Sequence, residues 1–164
     1  GPAIWVFQGP VKPARMDVLV EKCVELGIAG LVAVECERCV RRQTGPRLER
    51  WRRVAVEAMK QSMQTRLPEI RPASGLEDAL VVAGGLEAML LASGSSEAPS
   101  IREVLGSRRP TGLGIWVGPE GGFTDTEIAL LRNAGALPFR LGGSRLRSET
   151  AAIATVGAVR ALLG

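Results

Sequence analysis

The 164-residue sequence contains no histidine. That absence removes the commonest general base near neutral pH, together with every Ser/His and Cys/His nucleophile pair. Proton chemistry in such a chain has to use carboxylates, water or the substrate itself. Cysteine is scarce as well: Cys23, Cys36 and Cys39 form an odd set. One C-x-x-C spacing without a second pair, and without any imidazole, is too few ligands for a zinc centre, so no metal is expected. The three are read as reduced thiols, with Cys23 on the apolar face of a helix. Apolar runs are short, and none approaches the roughly 20 residues that cross a bilayer. No segment joins a basic start, an apolar centre and a small-residue cleavage site. A soluble, cytoplasmic protein with no membrane partner is expected, and the length suits one core that needs no staple.

Charge is present and uneven. The net charge is +4, yet Arg38, Arg41, Arg42, Arg47, Arg50, Arg52 and Arg53 crowd one stretch whose only acid is Glu49. Guanidinium forks match phosphate oxygens, so RNA or DNA is one candidate partner, and a solvated helix face is the equal alternative. Hydrophobic periodicity gives the elements. Strands are predicted at Ile4 to Phe7, Leu31 to Val34, Ala88 to Ala92, Gly114 to Gly118 and Pro138 to Leu141. Helical spacing links Met16, Leu19, Val20, Cys23 and Val24 before Gly27, and then Trp51, Val54, Ala55, Ala58, Met59 and Ser62 before Pro68. A short helix is expected near Leu76 to Val82, capping boxes open helices after Ser100 and Thr124, and a last amphipathic helix carries Ala152, Ile153, Val156, Val159 and Leu163. Strand and helix alternate, which predicts an α/β fold: a mostly parallel sheet flanked by helices.

In open sheets of this kind ligands bind beyond the carboxyl ends of the strands. Three turns there are richer in glycine and serine than a connection requires. They are Ser93-Gly94-Ser95-Ser96, Gly118-Pro119-Glu120-Gly121-Gly122, and the run from Gly142 to Thr150. Such turns leave backbone N–H and C=O groups open to a ligand that approaches closely, as a nucleoside edge does. No G-K-[ST] or G-x-G-x-x-G pattern occurs, so a nucleoside triphosphate or a dinucleotide is poorly supported. A tight strand-to-helix turn, with Glu120 near a helix start, is the plainer reading of the second turn.

The ordered motifs carry a family resemblance over nearly the whole chain. Glu21-Lys22-Cys23-Val24-Glu25-Leu26-Gly27, Glu37-Arg38, Arg50-Trp51 with Glu57-Ala58 and Gln61-Ser62, Gly118-Pro119-Glu120-Gly121-Gly122-Phe123, and Leu141-Gly142 with Leu146-Arg147 and Glu149-Thr150-Ala151 resemble the RsmE-type methyltransferases of small-subunit ribosomal RNA. That family belongs to the SPOUT superfamily. The resemblance implies one SPOUT-type domain over residues 1–164 with a C-terminal trefoil knot, and no N-terminal RNA-binding barrel within the chain. It implies S-adenosylmethionine as cofactor, S-adenosylhomocysteine as product, and methylation of N3 of a uridine in 16S ribosomal RNA by a homodimer. The cofactor would be held by Leu91, Gly118, Pro119, Glu120, Gly121, Gly122, Leu141, Gly142, Leu146, Arg147 and Thr150. Glu120 or Glu149 would be the candidate carboxylate for the proton, and Arg147 or Arg38 the candidate cation for the uridine anion. RNA contacts would fall to Arg38, Arg41, Arg42, Gln64 and Arg66. Gln64 and the pair Ser144-Arg145 depart from the family pattern, and a non-catalytic RNA-binding or dimerisation module of the same fold is the competing reading.

Overall fold

The computed structural model describes residues 1–39 and 44–164; Arg41 and Arg42 lie outside the described residues. Six strands and six helices alternate along them: β1 (Ala3–Gln8), α1 (Pro13–Glu25), β2 (Gly30–Val34), α2 (Gly45–Gln61), β3 (Glu69–Ala73), α3 (Leu76–Ala83), β4 (Ala88–Ala92), α4 (Ile101–Leu105), β5 (Gly112–Val117), α5 (Asp125–Asn133), β6 (Leu137–Phe139) and α6 (Ser148–Leu163). The strands form one sheet in the order β3-β2-β1-β5-β4-β6, and every pairing is parallel. This is the α/β architecture that the alternation predicts.

The central strands are apolar on both faces. β2 and β5 are buried at every position, as strands covered on two sides must be. One face packs against α1, α2, α4 and α6 through Met16, Leu19, Trp51, Ile101 and Val156. The other face packs against α3 and α5 through Leu76, Ala79 and Leu131, around the stacked rings of Phe7 and Trp116, whose centroids are 4.2 Å apart.

Two differences from the sequence reading have physical causes. β3 is a strand where no strand is expected, because Pro72 breaks the pattern. It lies at the sheet edge, where a residue without an N–H is tolerated. α2 starts at Gly45, a turn and a half before the first apolar marker Trp51, because its opening turns are charged and exposed. The arginine stretch therefore sits largely on a helix, and its donors are partly occupied. Arg50 forks onto Asp17, with Nη2 to Oδ2 at 2.6 Å, and Arg52 donates to the Ile70 carbonyl at 3.2 Å.

Strand order reverses between β1 and β5, with β2 and β3 on one side and β4 and β6 on the other. The carboxyl ends beside that reversal are where an open α/β sheet forms its ligand crevice.

Candidate active site

The crevice is present. A cleft of about 610 Å³ lies beyond the ends of β4, β5 and β6, within the usual range for a small-molecule site. Leu91, Val117 and Phe139 give it an apolar floor, and three turns wall it: residues 92–96, 118–123 and 141–146. The turns bring backbone groups to the cleft, and its lining also includes polar residues such as Ser93, Ser95, Glu120, Arg132 and Arg145. Open space faces the Cα atoms of Gly94, Gly122, Gly142 and Gly143, so a flat heterocycle can reach main-chain edges there without meeting side chains.

The middle wall is the most constrained. The Gly122 N–H donates to the Pro119 carbonyl at 2.8 Å, and Gly122 has φ of 75°, a left-handed conformation that costs glycine nothing. At Gly118 a Cβ would stand 2.7 Å from the Phe123 nitrogen, so only glycine lets the turn close. Beyond it Thr124 opens α5 with a capping box: its Oγ1 accepts the Glu127 N–H at 3.2 Å, and Glu127 Oε1 accepts the Thr124 N–H at 2.9 Å.

Beneath the cleft a buried polar junction ties three elements together. Gln8, at the end of β1, donates through Nε2 to Gly9 O at 2.8 Å and to Ser148 Oγ at 2.7 Å. Ser148 Oγ donates in turn to the Gly118 carbonyl. The first residue of α6 is thus fixed to the last carbonyl of the β5 end, which sets where the third wall leaves the cleft floor.

Charged residues in the lining are Glu120, Arg132 and Arg145, and Glu120 belongs to an ion-pair cluster. Arg15, on the first turn of α1, contacts Glu120 through Nη1 and stands 3.6 Å from Glu149 Oε1 through Nε. Glu149 is buried, and its Oε2 has no hydrogen-bond partner among the described residues. One guanidinium therefore serves two carboxylates, one on the cleft wall and one in the first turn of α6.

Of the residues expected to hold a cofactor, Leu91, residues 118–122, Leu141, Gly142 and Leu146 line the cleft. Arg147 and Thr150 do not line it; both are exposed at the start of α6, where Arg147 is the N-cap. Arg38 reaches the rim, donating from Nη1 to the Gly121 carbonyl at 3.0 Å. Gln64 and Arg66 are exposed at the opposite end of the sheet, before β3, and Gln64 donates to the Glu25 carbonyl at 3.3 Å. Arg15 and Gln8 escape the sequence reading, which has Ser148 only as part of the third turn. A lone glutamine ending an apolar strand is a usable signal for the second, whereas the role of Arg15 is set by packing alone. Cys36 and Cys39 approach each other, but among the described residues no group of three or more His, Cys, Asp or Glu side chains is placed to hold a metal ion.

A parallel α/β sheet with a backbone-walled cleft at its strand reversal, and an arginine-bridged carboxylate on the cleft wall, defines a small-molecule-binding domain of the class that handles nucleoside-like ligands. Comparison makes this specific. The model of the RNA methyltransferase domain family matches residues 1–160, and the chain belongs to that family. It is 33% identical over 173 residues to ribosomal RNA small subunit methyltransferase E of Mycobacterium bovis, a match that covers 98% of this chain and 64% of that protein. The corresponding match in Synechocystis is 32% identical and covers 93% of this chain and 51% of that protein. The chain thus spans between half and two thirds of the length of these relatives. Among solved structures, ribosomal RNA small subunit methyltransferase E from Neisseria gonorrhoeae, bound to S-adenosyl methionine, superimposes with a TM-score of 0.88 at 32% identity, covering 99% of this chain and 67% of that one. A SpoU methyltransferase from Streptomyces viridochromogenes shares the fold, with a TM-score of 0.62 at 16% identity.

Proposed function

We propose that this domain binds S-adenosylmethionine in the cleft at the β4, β5 and β6 ends and, with small-subunit ribosomal RNA as substrate, methylates N3 of a uridine. The observation that carries the reading is the cleft itself: an apolar floor with three turns that present backbone. An adenine ring fits such a floor, its edge groups pairing with main chain near Leu141, Gly142 and Leu146, and a ribose fits against residues 118–122. Glu120 on the same wall offers a carboxylate to a cationic ligand. Bound there, S-adenosylmethionine supplies a methyl group on a positively charged sulfur.

The chain's own contribution is then mostly positional. Rigid walls that hold two reactants in line supply roughly 7–11 kcal/mol of a barrier by removing translational and rotational freedom. The Gln8–Ser148–Gly118 junction fixes the relation between two of the walls. Uridine N3 must also lose its proton. Glu120 is the carboxylate on the cleft wall, and Arg15 fixes its position, so a proton passing to Glu120 does so in competition with that guanidinium. Arg132 and Arg145 in the cleft lining, Arg38 at the rim and Arg147, exposed beside the third wall, are the cations available to an incoming base. S-adenosylhomocysteine is the product that leaves.

The same reading includes a knotted path and a homodimer working on cytoplasmic ribosomal RNA. The path is supported by hydrogen bonds on both sides of the chain leaving β6: Ser93 N–H to Phe139 O at 2.9 Å and Arg140 N–H to Pro99 O at 2.8 Å. Residues 93–100 thus flank this chain segment before it enters α6. No helix among the described residues is long and apolar enough to cross a membrane.

Calorimetric titration with S-adenosylmethionine and S-adenosylhomocysteine tests the reading. Saturable binding of both at one site per chain is expected. Absence of binding by either removes the methyltransferase reading and leaves the non-catalytic module.

A further inference from the structure

We propose that Cys36 and Cys39 form a reversible dithiol–disulfide couple, oxidised by a small-molecule disulfide, whose state sets how firmly Arg38 grips the rim of the cleft. The two sulfurs stand 2.7 Å apart, closer than unbonded sulfurs normally pack and about 0.7 Å from the length of a disulfide. The turn between them is closed by the Cys39 N–H donating to the Cys36 carbonyl at 3.2 Å. The Cys36 N–H points to Cys39 Sγ at 3.3 Å, so the backbone favours negative charge on Cys39. The hydrogen bond between the sulfurs lowers the pKa of the Cys39 thiol and, acting with burial, raises that of Cys36. The pair is ordered as an attacking and a resolving sulfur.

Both cysteines line a recess of about 530 Å³, separate from the cofactor cleft, that also presents Glu37, Glu77 and Glu127. Acidic walls favour a cationic disulfide over an anionic one. The chemistry balances without the protein's other residues. The Cys39 thiolate attacks one sulfur of the reagent, whose S–S bond breaks to release one thiolate. Cys36 gives its proton to solvent, and its sulfur attacks Cys39 Sγ, breaking the mixed disulfide and releasing the second thiolate. Two protein thiols are oxidised, and the reagent is reduced to two thiols.

The consequence follows from what the turn holds. Arg38 lies between the two cysteines in sequence, and its Nη1 bonds the Gly121 carbonyl at 3.0 Å. Its neighbour's N–H, on Glu37, bonds Glu127 Oε2 at 3.1 Å, inside the capping box that follows the Gly118–Gly122 wall. Cys36 Sγ itself sits against Gly9, 3.1 Å from where a Cβ there would be. Closing a disulfide pins this turn, and through Arg38 it pins the wall.

The test treats the reduced chain with cystamine near neutral pH. The expected product has lost two hydrogens in intact mass with no retained adduct. Trypsin cleaves after Lys22 and Arg38, so the peptide that carries Cys23 and Cys36 stays joined to the one that carries Cys39, and fragmentation of the alkylated pair assigns the link to Cys36. Buried Cys23 remains free to alkylation after unfolding. Cys36→Ala is expected to trap a cystamine adduct on Cys39. Amides of Gly121 and Gly122 are expected to exchange several-fold more slowly in the oxidised chain, and oxidised glutathione, which is anionic, to react several-fold more slowly than cystamine. A stable adduct on the parent chain, or a link that includes Cys23, overturns the couple. Unchanged exchange at Gly121 and Gly122 overturns its coupling to the cleft, and equal rates for the two reagents overturn the role of the acidic recess.

Discussion

Replacing Arg15 by methionine keeps the bulk and apolar stem of the side chain while removing the charge between Glu120 and Glu149. The two ion pairs differ in weight. The one with Glu120 has both side chains 29% exposed, so solvent screening limits it to about 0–1 kcal/mol. The one with Glu149 involves a carboxylate whose side chain is 11% exposed, at 3.6 Å. Coulomb's law at that separation gives about 1 kcal/mol in a water-like medium and about 5 kcal/mol at an effective dielectric of 20. With Arg15 itself at the surface the lower half of that interval applies, and Arg15→Met is expected to destabilise the fold by about 2 kcal/mol. The cost arises because a buried carboxylate is left without its cation, so removing that charge should recover it. Urea unfolding of the parent, Arg15→Met, Glu149→Gln and the double variant closes a cycle. A coupling of at least about 1 kcal/mol is expected, with the double variant more stable than Arg15→Met. If Glu149→Gln costs the same in both backgrounds, or Arg15→Met unfolds within about 0.5 kcal/mol of the parent, the bridge has no energetic role.

Three further outcomes can be measured on the same chain. Gly118→Ala places a methyl group 2.7 Å from the Phe123 nitrogen. The wall has to shift, and a loss of about 1–3 kcal/mol in urea unfolding is expected, with at least tenfold weaker S-adenosylmethionine binding by calorimetry. Arg160→Met removes donors from the carbonyls of Leu26, Pro2 and Gly27, where α6 holds the end of α1. Orphaned, partly buried carbonyls predict a loss of about 2–4 kcal/mol in the same assay, with cofactor affinity unchanged because the site is at the other end of the sheet. Burial pushes the Cys23 thiol from 9.0 up to about 12. Below pH 9 the thiol is protonated in both states and contributes no pH dependence. Above it the unfolded chain ionises first, so stability falls as pH rises, by about 1.4 kcal/mol at pH 10. Cys23→Ala should lack that part of the slope between pH 8 and pH 10, and an identical slope would contradict the burial argument.

The fold was legible where local pattern and global position agree. Leu31 to Val34 and Ala88 to Ala92 are short apolar runs, and the sheet buries most of their residues. The two capping boxes at Ser100 and Thr124 open helices with both reciprocal bonds formed. β3 was illegible because an edge strand can carry Pro72 and only two buried residues, Ile70 and Ala73, three positions apart, a pattern that periodicity reads as a loop. In the cleft the glycine turns announced themselves, since exposed backbone needs glycine and glycine is visible in sequence. The residues that organise those turns did not. Gln8, Arg15 and Ser148 lie 110, 105 and 30 positions from the wall residues they hold, and no local pattern encodes a partner at that distance.

The arginine-rich stretch shows why charge composition alone overstates a nucleic-acid surface. A guanidinium carries five donors, and a peptide carbonyl at a helix or strand end is as suitable an acceptor as a phosphate. Arg52 holds the Ile70 carbonyl of β3, Arg50 holds Asp17 of α1, and Arg160 holds the carbonyls at the end of α1. Gln64 does the same for Glu25. These bonds lock α2 and α6 onto α1 and the sheet edge onto α2, and they use donors that a phosphate count would assign to RNA. Arg38 is different, because its acceptor is the Gly121 carbonyl on the rim of the cleft. In the proposed reaction a base approaching the cleft would meet that guanidinium at the rim, whereas Gln64 and Arg66 lie a full strand length away, roughly 17–20 Å at 3.3 Å per residue. Within one chain they would not reach a nucleotide docked at that cleft. Any contact they make to a base at this cleft therefore has to come from a second copy, and the arginines at the cleft in this copy are Arg38 on its rim and Arg132 and Arg145 in its lining.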